Sequence, residues 1–189
     1  INWSRIIVQV VYYFFSYLQI AKENEKINFS VPTGNFGDIY AGYIAKKMGL
    51  PIEKLIIATN RNDILKRVIV NGIYKPLEVH QTVSPSMDIQ VASNFERLIF
   101  DICSQNSEET SKLMNDLKEN GEFKLNSDYL KKIKEIFISE SLSDKETKAV
   151  IKEIYKKEKV LIDPHTAVAI GVTQKICKKS NTITLATAH

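Results

Sequence analysis

A chain of 189 residues with 44% hydrophobic and 25% charged side chains is long enough for one sizeable core or a core with an appended subdomain, and its composition excludes low-complexity disorder. The formal charge is +4, and its lysines are interspersed with glutamates along helical stretches, as at Lys131, Lys132, Lys134 and Glu135. No basic stripe is interleaved with aromatics, so nucleic acid is not the expected partner and those charges read as solvated helix faces.

The first element is a run from Trp3 to Ile20 dominated by apolar and aromatic side chains. Arg5, Gln9 and several tyrosine hydroxyls interrupt it, which argues against a membrane span and for a helix buried over most of its circumference. After a charged break at 22–26, residues 27–31 form an apolar, strand-like run. It leads directly into Pro32, Thr33, Gly34, Asn35, Phe36, Gly37 and Asp38, then into a helical pattern with Ile39, Tyr40, Tyr43, Ile44 and Met48 on one stripe. Ala41, Gly42 and Ala45 are small enough for close packing, Gly49 stands where a helix C-cap belongs, and Pro51 blocks continuation. Residues 54–59 follow as a continuous apolar strand of the kind buried on both faces of a parallel sheet. Together these make a βαβ unit with a right-handed crossover.

A further helix is expected over 63–70, capped by Asn62 or Asp63 and stopped at Asn71 and Gly72. The 74–93 segment has no sustained period and reads as an ordered connection or a short strand near 77–83. Helical spacing returns at 94–103. From 104 to 159 the composition shifts to Lys, Glu, Asn and Ser with three amphipathic helices, at about 108–119, 128–138 and 143–157, the last with Ser143 and Glu146 in capping-box spacing. The final part restores the α/β pattern, with a helix from His165 or Thr166 to about residue 178 and a strand over 182–187. The expected fold is therefore α/β, a mainly parallel sheet flanked by helices, with 1–103 and 160–189 forming the sheet domain and 104–159 a helical insertion. Cys103 and Cys177 lie far apart in apolar helical contexts, with nothing near them in metal-ligand spacing, and read as buried thiols of a reducing compartment.

Chemistry concentrates at Gly34 to Gly37. Glycines let backbone N–H groups meet an anion, and the helix beginning near Asp38 adds about half a positive charge at its N-terminus. A plain tight turn between strand and helix is the competing reading. The absence of Gly-Lys-Ser/Thr argues against a P-loop, and the absence of Gly-x-Gly-x-x-Gly against a dinucleotide.

Read as longer strings, Ser30-Val31-Pro32-Thr33-Gly34-Asn35-Phe36-Gly37-Asp38 followed by Ala41-Gly42 and Gly49-Leu50-Pro51-Ile52 closely resembles the phosphate-binding segment of threonine synthases, a family of pyridoxal-phosphate enzymes of fold type II. Ile1-Asn2-Trp3-Ser4-Arg5, Ala58-Thr59-Asn60 with Asn62-Asp63, Ser84-Pro85-Ser86-Met87-Asp88-Ile89 and Thr187-Ala188-His189 resemble the same family in the same order. The resemblance implies a lyase of threonine biosynthesis, cytoplasmic, that converts O-phosphohomoserine and water to threonine and phosphate. It also implies that Thr33, Gly34, Asn35, Phe36 and Gly37 hold the phosphate of pyridoxal phosphate and that Thr187 stands beside the pyridine nitrogen. Asn2 and Arg5, one helical turn apart, are the candidates for the substrate, with Arg5 able to grip a phosphate or carboxylate bidentately or to serve in a structural salt bridge. Asp163-Pro164-His165-Thr166-Ala167-Val168-Ala169 resembles the family's helix start, with His165 near the site. The family's Schiff-base lysine falls upstream of Ile1, so the chain is expected to be an incomplete portion that needs the rest of the polypeptide and is inactive alone. A threonine-synthase-like phospholyase and a non-catalytic relative that keeps the phosphate pocket are the alternatives.

Overall fold

A computed structural model describes residues 2–177 and 181–187. The elements in chain order are α1 (Trp3–Ile20), β1 (Ile27–Pro32), α2 (Gly37–Lys47), β2 (Ile52–Thr59), α3 (Ile64–Asn71) and β3 (Ile73–Tyr74). A 3-10 turn (Pro85–Met87) precedes α4 (Phe95–Ile102), α5 (Ser107–Asn120), β4 (Phe123–Lys124), α6 (Ser127–Ile136), β5 (Phe137–Ser141), α7 (Asp144–Glu158), α8 (Pro164–Ile176) and β6 (Thr182–Thr184). Four strands form one sheet in the order β5-β2-β1-β6, with every neighbouring pair parallel. β3 and β4 form a separate antiparallel pair.

The central strands are mostly apolar where both faces of the sheet are covered, over β1 and over Leu55 to Ala58 of β2. On one face Phe29, Val31, Leu55 and Ile57 pack with Tyr13 of α1, Ile39 of α2 and Val68 of α3. On the other, Ile56 and Ala58 pack with Val168 and Val172 of α8 and with Leu142. Ser30, pointing to that second face, donates its hydroxyl to the Ala169 carbonyl at 3.0 Å, so the one polar side chain of mid-β1 is satisfied by the helix it faces. α2 crosses close to α1, since a Cβ on Gly42 would lie 2.5 Å from the Tyr13 ring.

Four sequence expectations change. The strand expected over 182–187 pairs with β1 only at Thr182–Thr184, so Thr187 lies three residues beyond it. The helical pattern at 128–138 stops at Ile136, and Phe137–Ser141 instead forms the outer strand β5, in register with Leu55 to Thr59. The 104–159 stretch therefore contributes to the sheet. No strand forms at 77–83. Helix α1 buries one stripe, Ile6, Val10, Tyr13 and Tyr17, and leaves Val8, Val11, Tyr12, Phe15, Leu18 and Ile20 exposed, so it is not buried over most of its circumference. Among the described residues no helix is long and apolar enough to cross a membrane. The capping box of α7 forms as its spacing predicts: the Ser143 hydroxyl accepts from Glu146 N–H and the Glu146 carboxylate accepts from Ser143 N–H.

Candidate functional site

A cleft of about 330 Å³ opens at the carboxyl end of β1, where open α/β sheets bind ligands. Asn2, Arg5, Gly34, Asn35, Gly37 and Thr187 all line it, although they come from α1, the loop after β1 and the chain beyond β6. Ser86, Met87, Asn94, His165, Gln9 and Asp38 complete much of the wall.

The loop from Thr33 to Phe36 owes its shape to three local features. Thr33 donates its N–H to the Ala58 carbonyl (2.8 Å) and folds its hydroxyl back onto the Val31 carbonyl (2.7 Å), so its side chain fastens the loop to the sheet and is not among the cleft-lining groups. Phe36 takes a left-handed conformation, φ 64°, which costs a non-glycine residue on the order of 1 kcal/mol. Its ring is 1% exposed and packs edge-on against Phe95, with centroids 5.2 Å apart, and against Phe137. The ring is a core anchor that forces the backbone of its neighbours outward. Gly34 lies so near the 3-10 turn that a Cβ would stand 2.7 Å from the Ser86 carbonyl oxygen, closer than real Cβ atoms approach. The N–H groups of Gly34, Asn35, Phe36 and Gly37 find no acceptor among the described residues, and they lead into the positive end of α2.

The opposite wall is held by a polar cluster that the sequence strings mark but do not explain. Asp88 accepts from Asn60 Nδ2 (2.7 Å), Asn62 Nδ2 (3.1 Å), the Thr82 hydroxyl (2.6 Å) and Thr82 N–H (2.8 Å). Asn62 also receives the His80 N–H on Oδ1 and donates to the His80 carbonyl. Residues 80–88 are thus tied to the end of β2 by side chains in place of a β ladder, which is why the segment shows no strand period. Asn94 adds a third tie, with both its N–H (3.1 Å) and Nδ2 (2.9 Å) donating to the Asn35 carbonyl.

Charge in the cleft is sparse. Arg5 is exposed and forms no salt bridge among the described residues. Asp38, in the first turn of α2, accepts from Gln9 Nε2 at 2.6 Å, and burial raises its carboxyl above the usual range against the opposing pull of its own N–H and of Arg5. Asp163 caps α8: burial pushes its carboxyl up, but bonds from the Thr166 hydroxyl, the Thr166 and His165 N–H groups and the His165 ring outweigh this and hold it low. His165 sits on that carboxylate by Nδ1 at 3.1 Å and is 8% exposed. No lysine lines the cleft among the described residues. Of the sequence strings, Ile1, Ala188 and His189 lie outside the described residues. Gln9 and Asn94 stand in no sequence pattern that marks them as site residues, Gln9 being notable there only as a polar interruption of the first helix.

No protein-family model matches the chain. Comparison with known proteins does find relatives. A threonine synthase of Pseudomonas aeruginosa is 44% identical over the whole chain, which spans 41% of that relative's length. The solved structure of a pyridoxal-phosphate-bound threonine synthase from Brucella melitensis superposes with a TM-score of 0.97 at 46% identity, covering all of this chain and 41% of that one. The yeast threonine synthase structure superposes at 0.94 with 43% identity and the same coverage. The chain is thus homologous along its whole length to about two fifths of these proteins, and its parallel sheet between helices is the fold type II architecture.

Proposed function

We infer that this chain is a portion of a threonine synthase and supplies the side of the site that grips the phosphate of pyridoxal phosphate. The observation that carries the reading is the run of four N–H groups, Gly34 to Gly37, that have no acceptor among the described residues, at the N-terminus of α2 and in the same cleft as Arg5, which forms no salt bridge among those residues. A phosphate dianion is acceptor-only and suits such a run. The glycines fit it as well: Gly34 permits the close wall, and the atoms nearest a Cβ on Gly37 would be those of Asn94, Ile6 and Gln9 at 3.5–3.9 Å, ordinary packing distances.

When bound, the cofactor supplies the electron sink for the reaction. The residues of this chain bind and orient. Gly34, Asn35, Phe36 and Gly37 offer main-chain donors to the cofactor phosphate, while Thr33 and the Phe36 ring act behind them by fixing the loop. Thr187 carries an exposed neutral hydroxyl on the cleft wall, suited to a pyridine nitrogen that is to stay less protonated than an aspartate would leave it. Arg5, with Asn2 one turn before it, suits the phosphate or carboxylate of O-phosphohomoserine, whose conversion with water gives threonine and inorganic phosphate. Asn2 already spends its side-chain oxygen capping Ser4 N–H at 2.9 Å, which leaves its amide donors for a ligand. The Schiff-base lysine belongs, on this reading, to the remainder of the polypeptide. A cytoplasmic enzyme is the matching assignment on this reading.

The test uses the full-length protein. Titration with pyridoxal phosphate should develop the visible absorbance of bound cofactor, and the loaded protein should release phosphate from O-phosphohomoserine with threonine in equal amount. Pure, folded full-length protein that takes up no cofactor and releases no phosphate would overturn the assignment.

A further inference from the structure

We propose that His165 is a positioning residue for the phosphate-binding loop, acting through the main chain of Ser86. The proposal rests on the reading above for its ligand, and on geometry for the rest. The main chain of Ser86 is flanked on two sides, through the two peptide groups that meet at its Cα. Its N–H donates to His165 Nε2 at 3.3 Å, and its carbonyl oxygen lies against Gly34, where any Cβ would come within 2.7 Å. Moving Ser86 toward or away from His165 therefore closes or opens the space over the loop.

The imidazole is prepared for that contact. Asp163 is held as an acceptor-only carboxylate by its four hydrogen bonds, so the ring carries its proton on Nδ1 and turns the Nε2 lone pair to Ser86. Asp163 is itself the N-cap of α8, a helix seated on the far face of the sheet against β1 and β2. Its position is thus set by the core. The result is a connected line from the start of α8 through an imidazole and the main chain of one residue, Ser86, to the Gly34 loop. The cluster around Asp88 fixes the same segment two residues later, which leaves Ser86 as the point where His165 acts. A histidine that merely filled space at the helix start would show no such directed acceptor, and replacements would then be ranked by volume alone.

Three variants of the full-length protein separate the two roles. His165→Gln keeps an acceptor at about the reach of Nε2, His165→Asn keeps the chemistry but falls one methylene short, and His165→Phe keeps the bulk and removes the acceptor. The readouts are amide hydrogen exchange in peptides covering 84–88 and affinity for pyridoxal phosphate by absorbance titration. Expected results are about tenfold faster exchange at Ser86 and about tenfold weaker cofactor binding for Phe and Asn, the size of one lost hydrogen bond. Gln should stay within about threefold of the parent in both. If His165→Phe fails to fold, the Gln and Asn pair decides. Equal behaviour of Gln and Asn, or exchange at Ser86 unchanged in both, overturns the proposal. Exchange is informative even where the parent takes up no pyridoxal phosphate, an outcome that would count against the assigned cofactor and not against the His165 contact.

Discussion

Replacing Gly34 with alanine is the sharpest single probe of the site. The backbone there is outside the left-handed region, so alanine meets no conformational barrier, and by itself would stabilise the protein by about 0.4–1 kcal/mol through the unfolded state. Against this, its Cβ would stand 2.7 Å from the Ser86 carbonyl oxygen and 3.4 Å from Met87 Cα, both main-chain atoms that cannot rotate away. Overpacking of this kind costs about 1–3 kcal/mol, and Ser86 is restrained by His165 and by the Asp88 cluster, so relief by a shift of the turn is opposed. The net expectation is about 1–2 kcal/mol, expressed as lost stability, as weakened ligand binding or as both. Gly37→Ala is the control, since its nearest neighbours would be at 3.5 Å or more: stability should hold while the added methyl at the cleft weakens cofactor binding. The assay is denaturant unfolding with and without pyridoxal phosphate, plus direct titration, on the full-length protein. A Gly34→Ala protein with parental stability and parental affinity would refute the tight-contact argument.

Three further outcomes are expected. Phe36→Ala should destabilise by about 3–5 kcal/mol, the range for a fully buried phenylalanine, and denaturant midpoints will show whether the ring is an anchor as its contacts with Phe95 and Phe137 require. Arg5→Ala should lower kcat/KM for O-phosphohomoserine by about 1.5–3 kcal/mol, roughly 10- to 150-fold, with parental cofactor affinity, whereas equal loss of cofactor affinity would assign Arg5 to the wrong phosphate. Glu146, on which Lys175 and then Ser143 donate hydrogen bonds, has its carboxyl pushed down to about 2 from an ordinary 4.5. A depressed folded-state value means the stabilisation is fully present above about pH 4.5 and fades as pH falls toward 2. Because the side chain is 44% exposed, solvent screening reduces the effect to about 1 kcal/mol, so Glu146→Gln should lower stability by that amount at pH 7 and by much less near pH 2.5 in low-salt unfolding curves.

The elements whose periodicity is set by their own burial were legible in the sequence. β1, α2 and β2 follow the apolar runs, and Gly49, at φ 101°, ends α2 where a helix stop was expected. β5 was not legible because Leu130, Ile133, Ile136 and Phe137 continue a helical stripe up to the strand's first residue, and only pairing with Leu55 to Thr59 converts the next residues to extended chain. The connection at 75–90 was illegible for a different reason: its order comes from Asn60, Asn62 and Asp88, a three-dimensional polar cluster with no sequence period. At the site, the glycines of the loop could be read directly. The tie of the Thr33 N–H to the sheet and the burial of Phe36 could not, because both depend on partners 25 or more residues away, Ala58 for the one and Phe95 and Phe137 for the other.

The strand order carries a consequence for how the molecule reaches its working state. β1 pairs on one side with β2, a neighbour along the chain, and on the other with β6, whose Thr182 is 154 residues from Asn28. Loop-closure entropy makes the second pairing the costlier of the two to close. Thr187 follows β6, His165 lies on α8 and Arg5 on α1, so the cleft requires all three elements to be in place. A ligand of that cleft consequently recognises the finished fold alone. At about one hundred times its dissociation constant it would add about 2.7 kcal/mol to the global unfolding free energy, making resistance to proteolysis a direct measure of site occupancy.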